Sequence, residues 1–164
     1  NKTKNVMKKF LLYILIPVAF IQSCNEDPVL KNNDEKAAVE KTIRSCIGWA
    51  GKKDLALLHS VIVNDSTYLE VDPQEGVVKG FEQFRKAEKT WMSPDFQAVR
   101  YEIRDLRIDM ARSGDVAWWF CILDDINTWR GEPASWLNTR WTGVAEKRKG
   151  KWVIVQQHFS FAAE

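Results

Sequence analysis

From Phe96 to Ser160 apolar residues recur at every second position, and that period commits the chain to a fold built on long, half-buried strands. The stretch QAVRYEIRDLRIDMA sets Val99, Tyr101 and Ile103 against Arg100, Glu102 and Arg104, then changes phase to Leu106, Ile108 and Met110. A phase change within one strand predicts a β-bulge near Arg104–Asp105, and a bulge bends the sheet that contains it. Turn residues at Ser113-Gly114-Asp115, Arg130-Gly131-Glu132-Pro133 and Arg148-Lys149-Gly150 divide the remainder into VAWWFCILDDINTW, ASWLNTRWTGVAEK and KWVIVQQHFSF. Four antiparallel strands in meander order are expected.

Upstream the period is helical. Asn32 with Glu35 has the form of a capping box, and Val39, Ile43, Cys46, Ile47 and Ala50 fall on one face of a helix that Gly51 closes. Asp54 is placed to cap a second helix through LALLHSVIV. STYLEVD reads as a short strand that turns at Asp72-Pro73. Phe81, Phe84, Ala87, Glu88 and Trp91 read as one face of a third helix, ended by Ser93-Pro94. Helices followed by a meander predict an α+β domain, with the helices on one face of a curved antiparallel sheet. At 164 residues the chain holds one such domain.

The first residues carry a different signal. Met7-Lys8-Lys9 precedes an uncharged apolar run from Phe10 to Ile21, shorter than the ~20 residues a spanning helix needs. The run leads into Ile21-Gln22-Ser23-Cys24 and resembles a bacterial lipoprotein signal. That resemblance implies cleavage before Cys24, lipidation of Cys24, a tether over residues 24–33 and a folded domain over 34–164. It also implies a place in the bacterial cell envelope, at the outer membrane, with Glu26-Asp27 similar to a surface-export signal. Removing residues 1–23 takes away four lysines and no acid, so the formal charge of +2 becomes about −2. A chain without a basic excess is not expected to bind nucleic acid. Cys46 and Cys121 lack zinc-ligand spacing, no metal or cofactor is expected, and the two thiols are either paired or buried and free.

The order of elements and certain residues together resemble the nuclear transport factor 2-like superfamily, and within it the SnoaL-like domains. The residues are Asp54, Gly80-Phe81, Gly114-Asp115-Val116-Ala117, Arg140-Trp141-Thr142 and the run from Gly150 to Ser160, and the likeness spans residues 34–161. It implies a cone in which a strongly bent sheet wraps a helix around a small-molecule pocket, as in ketosteroid isomerase, scytalone dehydratase and the polyketide cyclases. The catalytic sets of ketosteroid isomerase and of limonene epoxide hydrolase do not map onto this chain, so the resemblance implies a ligand-binding module, an isomerase, hydratase or cyclase, or a ligand-free dimeric interaction module.

A three-residue loop Arg148-Lys149-Gly150 would pair Thr142 with Gln156, Arg140 with His158 and Asn138 with Ser160, placing all six on one face with Val144, Trp152 and Ile154. Either this mixed face lines the pocket, or the opposite face forms the core and the mixed face meets solvent or a partner. The first reading fits a pocket that is mostly apolar with a few convergent polar groups. It makes Arg140, His158, Gln156, Asn138, Thr142 and Trp152 ligand-binding candidates, with Tyr68 and Trp91 reaching the mouth alongside Glu70. Arg140 would meet an anionic group, with His158 beside it as a hydrogen-bonding neighbour. The opposite row, with Leu137, Trp141, Val155 and Phe159, would then form a homodimer face. His158, Asp124 and Tyr101 are the catalytic candidates. Asp124 and Asp125 are adjacent on one strand, so only one can face inward; Asp124 shares parity with Trp118, Phe120 and Ile122, Asp125 with Ala117, Trp119, Cys121 and Leu123, and both rows are apolar.

Overall fold

The computed structural model describes residues 28–74 and 76–163. The lipoprotein signal and Cys24 lie outside the described residues. Helix α1 spans Pro28–Gly48 and passes into a 3-10 turn over Trp49–Lys52. Its start at Pro28 suits a residue that lacks an N–H and is pre-set for the first helical turn. Asn32 and Glu35 therefore lie inside the helix instead of capping it, and residues 28–33 are helical. Glu35 is drawn onto the sheet, where it accepts from Lys147 Nζ at 2.5 Å and Trp152 Nε1 at 2.7 Å. The chain reverses at Lys53, whose φ is 52°, and not at Gly51.

Helix α2, Leu55–Val61, is capped as its sequence suggests, with Asp54 Oδ1 accepting from the Leu57 N–H at 2.9 Å. Strands β1 (Leu69–Val71) and β2 (Val77–Lys79) form a short antiparallel pair. The expected third helix is interrupted: α3 (Phe81–Phe84) and α4 (Glu88–Trp91) are joined by a 3-10 turn at Arg85–Ala87. The long strands are β3 (Phe96–Met110), β4 (Val116–Trp129), β6 (Trp136–Arg148) and β7 (Lys151–Ser160), with the two-residue β5 (Glu132–Pro133) against β4. Their order is β2-β1-β7-β6-β4-β3, antiparallel throughout except for the parallel β1–β7 pair. The sheet is thus mixed and open where a purely antiparallel one was expected.

Bulges supply the curvature. The one in β3 falls between Arg104 and Arg107, where Asp105 has φ 54°, as the phase change indicates. The helices lie in the hollow of the sheet. Val39, Ile43 and Cys46 of α1 and Leu58 of α2 pack there with Trp119, Trp141, Ala145 and Ile154. Trp119 and Trp141 meet edge to face at 5.6 Å, and Gly143 leaves the space that Trp119 fills, since a Cβ there would overlap its ring.

The β6–β7 hairpin differs from its expected register. Lys149 and Gly150, with φ 51° and 79°, form a two-residue turn that closes on Arg148 and Lys151. Positive φ at both positions matches the strand twist, which favours this loop over the three-residue one. A second bulge then leaves Val155 as an extra residue between the Ala145–Ile154 and Val144–Gln156 pairs. Thr142 therefore faces His158, and Arg140 faces Ser160.

Candidate functional site

The extra residue at Val155 decides which side chains see the hollow. Before it, Trp152 and Ile154 point inward; after it, Gln157 and Phe159 do, and Gln156, His158 and Ser160 turn to the outer face. On β6 the inward residues are Thr139, Trp141, Gly143 and Ala145, so Asn138, Arg140 and Thr142 are outside with them. The polar residues of the row assigned to the pocket thus lie on the convex face, as the alternative reading has it, whereas Trp152 and Ile154 of that row face inward. Gln157 does share a face with Phe159, as the period implies, but that face is the core.

The outward residues are engaged there. Arg140 Nη2 donates to the Phe161 carbonyl. Asn138 sits at a third bulge with φ 51°; its N–H donates to Asp124 Oδ1 at 2.6 Å and its Oδ1 accepts from Arg104 Nη2 at 3.0 Å. Asp124 is paired with Arg104 at 2.9 Å. Tyr101 packs against Gly48 of α1, and Trp152 lies beside Glu35 at the closed end of the hairpin. None of Arg140, His158, Gln156, Asn138, Thr142, Trp152, Asp124 or Tyr101 lines the aromatic cavity between α1 and the sheet: the two-residue turn and the Val155 bulge turn the first five outward, Trp152 faces inward at the opposite end, Asp124 is tied to Arg104 and Tyr101 lies against α1.

That cavity, of about 260 Å³, lies at the other end of the hollow. Cys46, Trp49 and Ala50 wall it from α1 and the turn that follows, Phe84 and Trp91 from α3 and α4, and Phe96 from the start of β3. Trp136 and Phe159 close the sheet side, and Glu70, Asp125, Asn127 and Gln157 bring polar atoms. Trp91 stands in the wall as expected, edge-on to Trp49 at 5.7 Å and tilted on Phe84 at 5.3 Å. Tyr68 is buried behind Glu70. Among the described residues no lysine, arginine or histidine lines the cavity.

Gln157 is oriented by its partners. The Trp141 indole can only donate, so the amide oxygen must face it, at 3.2 Å, with the Cys46 thiol at 3.7 Å. The amide nitrogen is then fixed toward Glu70 Oε2 at 2.6 Å and the Tyr68 hydroxyl at 2.7 Å, and Tyr68 in turn donates to Glu70 Oε2 at 2.5 Å. Glu70, 8% exposed, has no cation among these partners; burial pushes its carboxyl above the usual range despite the two donors, and the Asp72 carboxyl beside it pushes in the same direction. Asp125 is raised for the same reason, partly offset by Asn127 Nδ2, which donates to Asp125 Oδ2 at 2.8 Å. Asn127 is itself buried, and its Oδ1 accepts no hydrogen bond.

Cys46 and Cys121 are free and buried, which settles the alternative left open for them. Burial drives the Cys46 thiol far up and that of Cys121 to about 12, so neither serves as a nucleophile near neutral pH. Among the described residues no group of three or more His, Cys, Asp and Glu side chains could hold a metal ion.

The sequence reading brought Glu70 and Trp91 to the site, and the strand period already grouped Asp125 with residues that prove to face inward. Asn127 continues the same row, and its alternation with Leu123 and Asp125 was the signal for it. Gln157 gave none, since nothing in the sequence told the inner face from the outer.

A family model described as a SnoaL-like domain matches residues 39–164. Among solved structures, a candidate dehydratase of the NTF2-like family from Streptomyces avermitilis superposes with a TM-score of 0.69 at 15% identity, covering 80% of this chain and 99% of that one. A type 2 hexachlorocyclohexane dehydrochlorinase gives 0.65 at 16% identity, covering 82% and 97%. An NTF2-like protein from Cytophaga hutchinsonii gives 0.63 at 12% identity, covering 77% and 98%. No curated protein sequence matches the chain.

Proposed function

The chain belongs to the SnoaL-like domain family, and from that premise we propose that its cavity binds one small, largely apolar ligand about the size of a single substituted ring. The observation that carries this reading is the cavity itself: apolar and aromatic walls with five polar residues, Glu70, Thr90, Asp125, Asn127 and Gln157, lining 260 Å³. An apolar cavity of ~150 Å³ holds benzene, so this one has room for a ring and a short substituent. The anionic ligand expected from Arg140 loses its support, because Arg140 is on the convex face and the ionisable groups at the cavity are acids. Titration with benzyl alcohol, followed through the fluorescence of Trp49, Trp91 and Trp136, tests the reading. Saturable quenching in the wild type that Ala134→Trp removes supports it; equal quenching in both would place the probe elsewhere.

A second reading is favoured by Asp125 alone. A carboxyl raised by burial beside an aromatic cavity is suited to move a proton, as dehydratase-type relatives would require. Exchange of the α-deuterons of a cyclic ketone into water, accelerated by the wild type and not by Asp125→Asn, is its test.

Two further parts of the reading concern surroundings. The sequence from Met7 to Cys24 supports a lipid anchor at Cys24 in the bacterial envelope, at the outer membrane. The convex sheet face, where Trp118 and Phe120 are 47% and 39% exposed beside Ile122 and Val144, supports a homodimer. This replaces the row of Trp141, Val155 and Phe159, which is buried in the hollow of the sheet.

A further inference from the structure

The walls and the polar groups of the cavity differ in a way that bears on the charge of its occupant. Six aromatic rings, those of Trp49, Phe84, Trp91, Phe96, Trp136 and Phe159, surround two carboxyl groups, and among the described residues no basic side chain lines the space. Several acids elsewhere are paired to a base, as in Glu35–Lys147, Asp124–Arg104 and Asp95–Arg130. Glu70 and Asp125 have no cation beside them: the donors to their carboxyls are Tyr68, Gln157 and Asn127, all uncharged, and the further neighbour of Glu70 is another carboxyl, that of Asp72. A further acceptor, Asn127 Oδ1, is buried with no donor. Its amide orientation follows from Asp125, which offers both its carbonyl oxygen, at 3.5 Å, and Oδ2 to the Asn127 nitrogen.

We propose that the cavity takes a small organic cation, a ring or short chain bearing one ammonium group, held by Asp125 and Glu70 within the aromatic walls. The inference rests on the reading of the cavity as a ligand site and adds the chemical class. Ring faces attract a desolvated cation, which is the basis of aromatic cages for ammonium groups. A buried carboxyl without a countercharge gains most from a cation, because pairing offsets the desolvation that otherwise disfavours its ionised form. An ammonium N–H matches acceptors that lack donors, and three such donors suit a site with two carboxyls and an amide oxygen. A carboxylate ligand would meet like charge with nothing to neutralise it.

Three probes of nearly one shape separate the possibilities: benzylamine, benzyl alcohol and benzoate, each titrated at pH 7.5 into the folded chain. The wild type is expected to bind benzylamine about tenfold or more tighter than benzyl alcohol, with benzoate the weakest. Asp125→Asn and Glu70→Gln should each cut the amine-to-alcohol ratio severalfold, so the outcome does not depend on one variant folding. Equal or tighter binding of benzyl alcohol overturns the charge inference while leaving the cavity reading intact. So does an amine preference that survives both substitutions. Failure of all three probes to bind overturns both.

Discussion

Replacing Gln157 by Glu changes one atom of the hub beneath the cavity and should make stability depend on pH in a calculable way. The side chain keeps its shape and its acceptor toward Trp141 Nε1, but the nitrogen that donates to Glu70 Oε2 at 2.6 Å and to the Tyr68 hydroxyl at 2.7 Å becomes an oxygen. A further carboxyl then joins the buried Glu70 and its neighbour Asp72, and it can do so only by retaining a proton. An uncompensated charge buried at such a site costs ~3–5 kcal/mol, so the variant should lose about that much at pH 7.5. The sign follows from the raised folded-state value. Below the unfolded-state value both states hold the proton and the penalty is absent; as pH rises toward the folded-state value only the native state holds it, and stability falls. Near pH 4 the loss should shrink to ~1 kcal/mol, the cost of the missing donor to Tyr68. Urea unfolding of variant and wild type at pH 4 and 7.5 measures the difference and cancels the parallel trend from native Glu70 and Asp125. Gln157→Leu, which strands the same partners without adding an acid, should show a loss of similar size at both pH values. A Gln157→Glu penalty that is the same at both would refute the hub.

Other expectations follow from packing and surface. Gly143→Ala would drive a Cβ into the Trp119 ring and to 2.6 Å from the Gln156 carbonyl oxygen, so it should destabilise by ~3 kcal/mol, read as a fall in melting temperature of about 10 °C. Asp54→Ala removes the cap on the Leu57 N–H and should cost ~1 kcal/mol in urea unfolding, while Asp54→Asn should cost less. Trp118→Arg on the convex face should convert a dimer to a monomer in sedimentation without lowering the melting temperature of the isolated domain; an unchanged sedimentation coefficient would argue against that face.

The architecture was legible because its signals are physical and local. The β3 bulge showed in the sequence since Arg104-Asp105 carries polar side chains across the phase change, and the register shifts at that place. The bulge at Val155 gave no such sign. Trp152-Val153-Ile154-Val155 is apolar at every position, so an extra residue there leaves the pattern unaltered while it exchanges the two faces of everything that follows. The turn compounded this, since Arg148-Lys149-Gly150 satisfies a two-residue or a three-residue loop, and only the left-handed Lys149 distinguishes them. Arg140 and His158 were placed inside by that ambiguity. Asp125 was not separable from Asp124 by parity on β4, because both rows are apolar, and which of them is buried depends on the cavity walls supplied by α1 and α4. Such nonlocal contacts leave no periodic trace.

The contact between Glu35 and the pair Lys147 and Trp152 fixes which end of the molecule an anchor would hold. Glu35 meets the sheet at the closed end of the β6–β7 hairpin, whereas α1 delivers Cys46 and the following turn delivers Trp49 to the cavity. From Trp152 to Phe159 the strand rises ~23 Å. A lipid at Cys24, upstream of α1, would therefore tether the domain by its far end and leave the cavity directed away from the bilayer, open to molecules arriving from the aqueous side.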